Sequence, residues 1–162
     1  MQKLVLSKIV SGGQTGSDCA GLFVAKSFGL KTGGYMPKYF RTLSGFRPDL
    51  AKLYNLQEHS SQGYQERTWD NVFISDGTVR FFTKQYSPGE RCTLNAINAH
   101  GRPHFDVDLN LEVNPGDLLK WLVDKHIKTL NVAGNSEQTS KGIYEKVVNY
   151  LTATFELGGL HK

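Results

Sequence analysis

An alternation of short strand-like runs with helical patterns restricts the fold more than any other feature of this sequence. Apolar or β-branched runs at Leu4 to Val10, Lys31 to Met36, Thr78 to Phe82, Pro103 to Asp108 and Lys128 to Ala133 read as strands. Between and after them stand helix patterns over Ser17 to Phe28, Gly63 to Val72, Arg91 to His100, Asn114 to His126 and Ser140 to Leu157. The last is the most regular, with Ile143, Val147, Leu151 and Phe155 recurring every fourth residue. Parallel strands need crossover connections, and helices normally fill them. The alternation therefore predicts an α/β fold, a doubly wound parallel sheet of about five strands with helices on both faces. No repeat, low-complexity tract or linker divides the 162 residues, so one domain over 1–162 is expected. From Lys38 to Gln62 the pattern weakens to a long loop with at most one short helix near Asp49 to Tyr54, expected to lie over a site.

In such sheets ligands bind beyond the carboxyl ends of the strands. The unusual motifs follow strand ends, beginning with Ser11-Gly12-Gly13-Gln14-Thr15-Gly16-Ser17-Asp18. A strand, a glycine-rich turn and a helix start bring backbone N–H groups to one mouth, which suits an anion. The same residues would also serve as a plain tight turn, and the spacing is neither GxxxxGK[ST] nor GxGxxG. Ser17 or Asp18 is the expected N-cap; as a site residue, Asp18 would cap the turn, hold a ribose hydroxyl or bind a metal.

Three further stretches are expected at that edge. Gly33-Gly34 to Pro37-Lys38 offers Gly34 and Lys38, with Arg41 beyond. Around the third strand stand Asp76, Gly77 and Thr78 before it and the Ser87 to Thr93 break after it, which carries Arg91 and Thr93. The loop Gly134 to Gly142, with Asn135 and Glu137, leads into a hydroxyl- and amide-rich helix start that suits phosphate. Lys38, Arg41, Arg91 and Lys141 would supply cations, and Asp18, Asp76, Glu90 and Glu137 carboxylates for ribose, metal or proton transfer. Tyr35, Tyr39, Phe40, Phe46 and Trp69 would either stack a planar ring or belong to the core.

Lys and Arg number 19 against 15 Asp and Glu, a formal charge of +4 without any basic run. Scattered cations fit a small anionic ligand better than a nucleic-acid surface. No apolar stretch reaches membrane-spanning length, so a cytoplasmic protein is expected. Cys19 and Cys92 cannot form a disulfide framework or a CxxC metal site. Near helix starts they would be either activated thiolates or small buried hydrophobes. The five histidines show no metal-ligand spacing.

Together, Ser11 to Asp18, Gly33 to Lys38, Glu66 to Val72, Ser75 to Thr78, Leu130 to Gly134 and Lys141 to Tyr144 resemble the YpsA-like branch of the SLOG superfamily, the molybdenum cofactor carrier proteins. The resemblance spans nearly the whole chain. It implies a Rossmann-like fold, a nucleotide or nucleotide-derived ligand at the strand ends, and a homo-oligomer. For a carrier the ligand is the molybdenum cofactor, molybdopterin with its phosphate and dithiolene-bound metal, shielded and handed on without reaction. Departures from the family pattern are Cys19 after the motif aspartate, Pro37-Lys38-Tyr39-Phe40-Arg41, and Gly134-Asn135-Ser136-Glu137-Gln138 after the last strand. The related phosphoribohydrolases carry PGGxGTxxE, where this chain reads Ser87-Pro88-Gly89-Glu90-Arg91-Cys92-Thr93. A nucleotide hydrolase using Glu90 or Glu137 is the alternative to a carrier, and a nucleic-acid scaffold a third reading.

Overall fold

In a computed structural model, which describes residues 3–162, five parallel strands form the central sheet. They are β1 (Lys8–Val10), β2 (Lys31–Gly33), β3 (Gly77–Phe82), β4 (His104–Asp108) and β5 (Thr129–Gly134), in the spatial order β2-β1-β5-β3-β4. Six helices connect and flank them: α1 (Ser17–Ser27), α2 (Pro48–Tyr54), α3 (Tyr64–Phe73), α4 (Pro88–His100), α5 (Pro115–Asp124) and α6 (Ile143–Leu157). The expected α/β architecture is the one found.

Side-chain alternation along β3 and β5 sorts the two faces. Val79, Phe81, Leu130 and Val132 point to one side, where Val24, Leu118, Leu122, Val147, Leu151 and Phe155 of α1, α5 and α6 close the main core. Burying each such side chain contributes roughly 1.5–3 kcal/mol. Thr78, Arg80 and Asn131 alternate with these residues and so point to the opposite side, where α3 and α4 pack on each other through Val72, Ala96 and Ile97. The α6 stripe is fully buried, as its four-residue period requires.

Several boundaries differ from the sequence reading, each for a local reason. The second strand stops at Gly33 because Gly34 adopts φ 121 and a Cβ there would overlap the Ser11 carbonyl oxygen. The chain bends away, and Tyr35–Met36 pairs instead with Gln57–Glu58. Helix α4 begins at Pro88, before the expected Arg91, because Ser87 caps it and Pro fits the first turn. Helix α6 begins at Ile143, after the expected Ser140, because Gly142 sits in the left-handed region. The 38–62 stretch holds α2 and a hairpin pairing Arg41–Thr42 with Gly45–Phe46. Met36, Leu50, Ala51, Tyr54 and Leu56 fasten it onto Leu22 of α1.

The strand order fixes where a ligand can enter. The connection from β1 runs outward to β2 on one side, and that from β3 runs outward to β4 on the other. The loops after β1, β5 and β3 therefore part at one point of the carboxyl edge and leave a crevice between them.

Candidate functional site

A cavity of about 220 Å³ fills that crevice. Gly12, Gln14 and Asp18 line it from the β1–α1 loop, and Tyr64, Arg67, Thr68 and Asn71 from α3. The start of α4 contributes Ser87 to Glu90 with Cys92 and Thr93, and the end of β5 contributes Asn131 to Ser136. Leu43 of the hairpin sits at the mouth, its N–H held by Gln14 Oε1 at 2.9 Å. The long stretch thus reaches over the site as expected.

The glycine-rich loop turns its donors inward. The N–H of Gly13 reaches Ser11 Oγ at 3.3 Å, that of Gln14 reaches Asp18 Oδ2 at 3.2 Å, and that of Thr15 reaches Gln14 Oε1 at 3.0 Å. Gly16, not Ser17 or Asp18, is the N-cap of α1, and the Ser17 N–H bonds to the Asn135 carbonyl at 3.1 Å. The first loop is therefore no ready cradle of N–H groups. Its contribution is an absence of side chain, because a Cβ on Gly12 would overlap the Arg67 guanidinium. Gly12 admits a cation to the floor of the cavity.

Arg67 is the central charge. Its side chain is 12% exposed, Nη1 lies 3.6 Å from Asp18 Oδ2, and its buried Nε has no hydrogen-bond partner. Its guanidinium carbon stands 5.5 Å from the Tyr64 ring, whose centroid is also 4.6 Å from the Arg41 guanidinium. Asp18 is 5% exposed, and burial pushes its carboxyl up to about 6 against the opposing pull of Arg67 and the Gln14 and Gly12 N–H groups.

Glu90 faces the same cavity at 2% exposure. Burial pushes it up to about 7; Arg80 and Asn135 oppose the shift, while Asp18 and Asp106 add to it. Arg80, buried within β3, is already matched by Asp106 through bonds of 2.8 and 2.6 Å. Asn135 braces the β3–α4 loop, its Oδ1 accepting from the Thr83 and Lys84 N–H groups at 2.9 Å each.

The expected site residues separate into three groups. Gly12, Gln14, Asp18, Thr93, Gly134 and Asn135 line the cavity. Gly13, Thr15, Gly16, Gly34, Glu137 and Gly142 build the loops around it. A Cβ on Gly16 would meet the Glu137 backbone nitrogen, and Thr15 Oγ1 ties the two loops by donating to Gln138 and accepting from the Glu137 N–H. Glu137 itself accepts from the Gly142 and Tyr144 N–H groups. Its carboxylate occupies the start of α6 where a phosphate was expected.

The third group lies elsewhere. Asp76 accepts from the Lys128 and Thr129 N–H groups at 3.0 and 2.9 Å, and Gly77 packs on Trp121 and Ile127. Thr78 accepts from Asn131 Nδ2 at 3.2 Å inside the sheet. The three begin a parallel strand, so they stand at its amino end, the edge opposite the cavity. Arg91 lies on the outer side of α4 with Gln65 and Trp69, and Lys38 rests over the Tyr39 ring at 5.1 Å. Arg41 donates to the Gln62 carbonyl at 2.8 Å, one ring removed from the cavity.

None of the five aromatics named for stacking lines the cavity; Tyr64 does. Burial raises both thiols, Cys19 up to about 12, so they are not activated thiolates. Sequence reasoning passed over Arg67 and Tyr64 as site residues. Their signal was α3 itself, where Tyr64, Arg67 and Asn71 share one face at helical spacing and leave it polar. No group of three or more His, Cys, Asp or Glu side chains arranged for a metal occurs among the described residues. No helix among them is long and apolar enough to cross a membrane.

A parallel sheet whose order reverses over a cavity floored by a nearly buried arginine defines a Rossmann-like α/β domain. The family model of the circularly permutated YpsA SLOG family matches residues 9–155, and the chain belongs to that family. It is similar to the crystal structure of a putative molybdenum carrier protein from Syntrophus aciditrophicus SB, at 31% identity, with 94% of this chain and 97% of that chain covered and a TM-score of 0.86. No curated protein matches the chain.

Proposed function

We propose that this protein binds a phosphorylated pterin or nucleotide-like ligand in the crevice and acts as a molybdenum cofactor carrier. The observation that carries this reading is Arg67, a nearly buried cation whose Nε is unpartnered, placed against bare backbone at Gly12. A guanidinium suits the bidentate geometry of a phosphate or another tetrahedral oxyanion.

The donor set fits the organic part of the cofactor. Arg67 would hold the phosphate, and Tyr64 offers a flat face for a ring. The cofactor brings its own sulfur ligands to the metal, so the protein's task is to enclose and release this cargo. The cavity of about 220 Å³, lined by both Arg67 and Glu90, would take the phosphate and the ring edge, with the rest of the ligand at the mouth beside Leu43. The carrier name of the similar structure points the same way.

Titration calorimetry of the purified protein with molybdopterin, GMP and AMP tests the proposal. Micromolar or tighter binding of at least one is expected, weakened about 30-fold or more in Arg67→Ala through loss of charge-assisted bonds. Absence of binding to all three, or full affinity in Arg67→Ala, would overturn it.

Glu90 also favours a second reading, nucleotide hydrolysis, since a buried carboxyl near 7 is suited to general acid work. Set against PGGxGTxxE, however, Pro88, Gly89 and Thr93 keep their places while Ala96 stands where the motif has glutamate. Release of free base from nucleoside monophosphates, lost in Glu90→Gln, would favour the enzyme.

A further inference from the structure

Of the two buried carboxylates lining the cavity, Asp18 accepts from a backbone N–H group and Glu90 from none. Its Oε1 has no hydrogen-bond partner and lies 3.6 Å from Arg80 Nη1; its Oε2 meets only Asn135 Nδ2, at a long 3.4 Å. Asp106 holds Nε and Nη2 of Arg80, while the buried Nη1 has no hydrogen-bond partner and faces Glu90 Oε1 alone. A carboxylate carries about four lone-pair sites, and burying one so poorly satisfied is costly. Asp18 stands at the same 3.6 Å from its arginine, Arg67, and accepts in addition from the Gln14 N–H. The cavity thus holds a cation at Arg67 and, on α4, a carboxylate whose acceptor sites are mostly unfilled.

We infer that Glu90 selects the ligand by accepting the paired N–H donors of a 2-amino-4-oxopyrimidine ring, the edge shared by pterins and guanine. This inference rests on the phosphorylated-ligand reading above and deepens it. In such a ring an exocyclic amino group stands next to a ring N–H, and two parallel donors match a carboxylate's two oxygens. Adenine instead presents an amino group beside an unprotonated ring nitrogen, whose lone pair faces the carboxylate. Hypoxanthine keeps the ring N–H and lacks the amino group. A cationic ligand group is disfavoured in the same cavity by Arg67, and no metal-ligand cluster occurs among the described residues.

The ionised form of Glu90 is the one that accepts both donors. Arg80 on β3, Asp106 on β4, Asp18 on α1 and Asn135 after β5 face it, and their balance with burial raises it to about 7. Ligand with the paired edge then displaces a proton when bound below that pH. Calorimetry at pH 6 in two buffers of different ionisation enthalpy reads this release.

The deciding experiment measures affinities of GMP, IMP and AMP, which share one phosphate and differ at this edge, together with dihydroneopterin monophosphate. Expected is the order GMP, IMP, AMP, with GMP ahead of AMP by about 10- to 100-fold. A tighter dihydroneopterin monophosphate would identify the pterin as the source, and a tighter GMP the nucleotide. Glu90→Gln should turn the preference towards AMP, because the amide donates to the adenine ring nitrogen and accepts from its amino group. Arg67→Ala should weaken all of them in parallel and keep the order. Equal affinities for GMP and AMP in the natural protein, or an unchanged ratio in a Glu90→Gln protein shown folded by circular dichroism, would overturn this inference alone. Failure of all four to bind would remove the phosphorylated-ligand reading with it.

Discussion

Two helix starts flank the crevice, and they are opposites. The loop into α6 is rich in hydroxyls and amides and looks like a phosphate loop, yet Glu137 already satisfies its first N–H groups. The Ser87-Pro88-Gly89-Glu90 start of α4 looks like an ordinary cap, yet it opens onto the cavity and its Glu90 carboxylate bonds to none of its N–H groups. A helix N-terminus attracts an anion wherever it lies. What separates the two is whether the chain's own carboxylate bonds to the helix N–H groups, as Glu137 does and Glu90 does not.

The contrast predicts a locked side and an open side. The largest effect is expected for Gly134→Ala: φ is 147 there and a Cβ would overlap the Phe81 carbonyl oxygen, so unfolding free energy should fall by roughly 3 kcal/mol or more in urea titrations. Glu137→Ala comes next. Removing the built-in anion of α6 should cost roughly 1–2 kcal/mol while ligand affinity stays within twofold. A large loss of affinity would mean that the α6 side belongs to the site after all.

The carboxyls of the open side give a pH signature. Asp18 and Glu90 hold their protons to about 6 and 7 in the folded chain, above their ordinary values of 3.8 and 4.5. The native state then binds more protons than the unfolded state between those limits, so stability is greatest below about pH 4 with respect to these two groups and declines as pH rises to about 7. Melting temperatures from pH 5 to 8 should fall less steeply in Glu90→Gln than in the natural protein. The smallest effect is expected for Gly89→Ala. A Cβ there meets nothing within 4 Å, so stability should change by less than roughly 0.5 kcal/mol, in sharp contrast to Gly134.

Much of the architecture was legible because strand and helix periods are local. The α6 stripe of Ile143, Val147, Leu151 and Phe155 needed only its own spacing to be placed, and all four are fully buried. Gly12, Asp18 and Asn135 were legible as residues of the cavity edge since each follows a strand end or opens a helix. Asp76 was misplaced for the opposite reason: Ser75 to Gly77 has the chemistry of a turn, and turn chemistry does not say at which end of a strand it stands. Arg91 and Arg67 show the same limit. Both are helix arginines, and only the packing of α3 on α4 turned one outward and the other in.

By itself the sequence determined the order of strands and helices, the parallel sheet and the family pattern, since these follow from periodicity, glycine placement and motif order along the chain. The tertiary structure decided which polar groups were left over. Hydrogen bonding inside a fold is a matter of accounting across elements far apart in sequence. Glu137 is consumed by α6 and Asp76 by the start of β5, while Arg67 and Glu90 keep long ion pairs of 3.6 Å to Asp18 and Arg80 and buried atoms without a hydrogen bond.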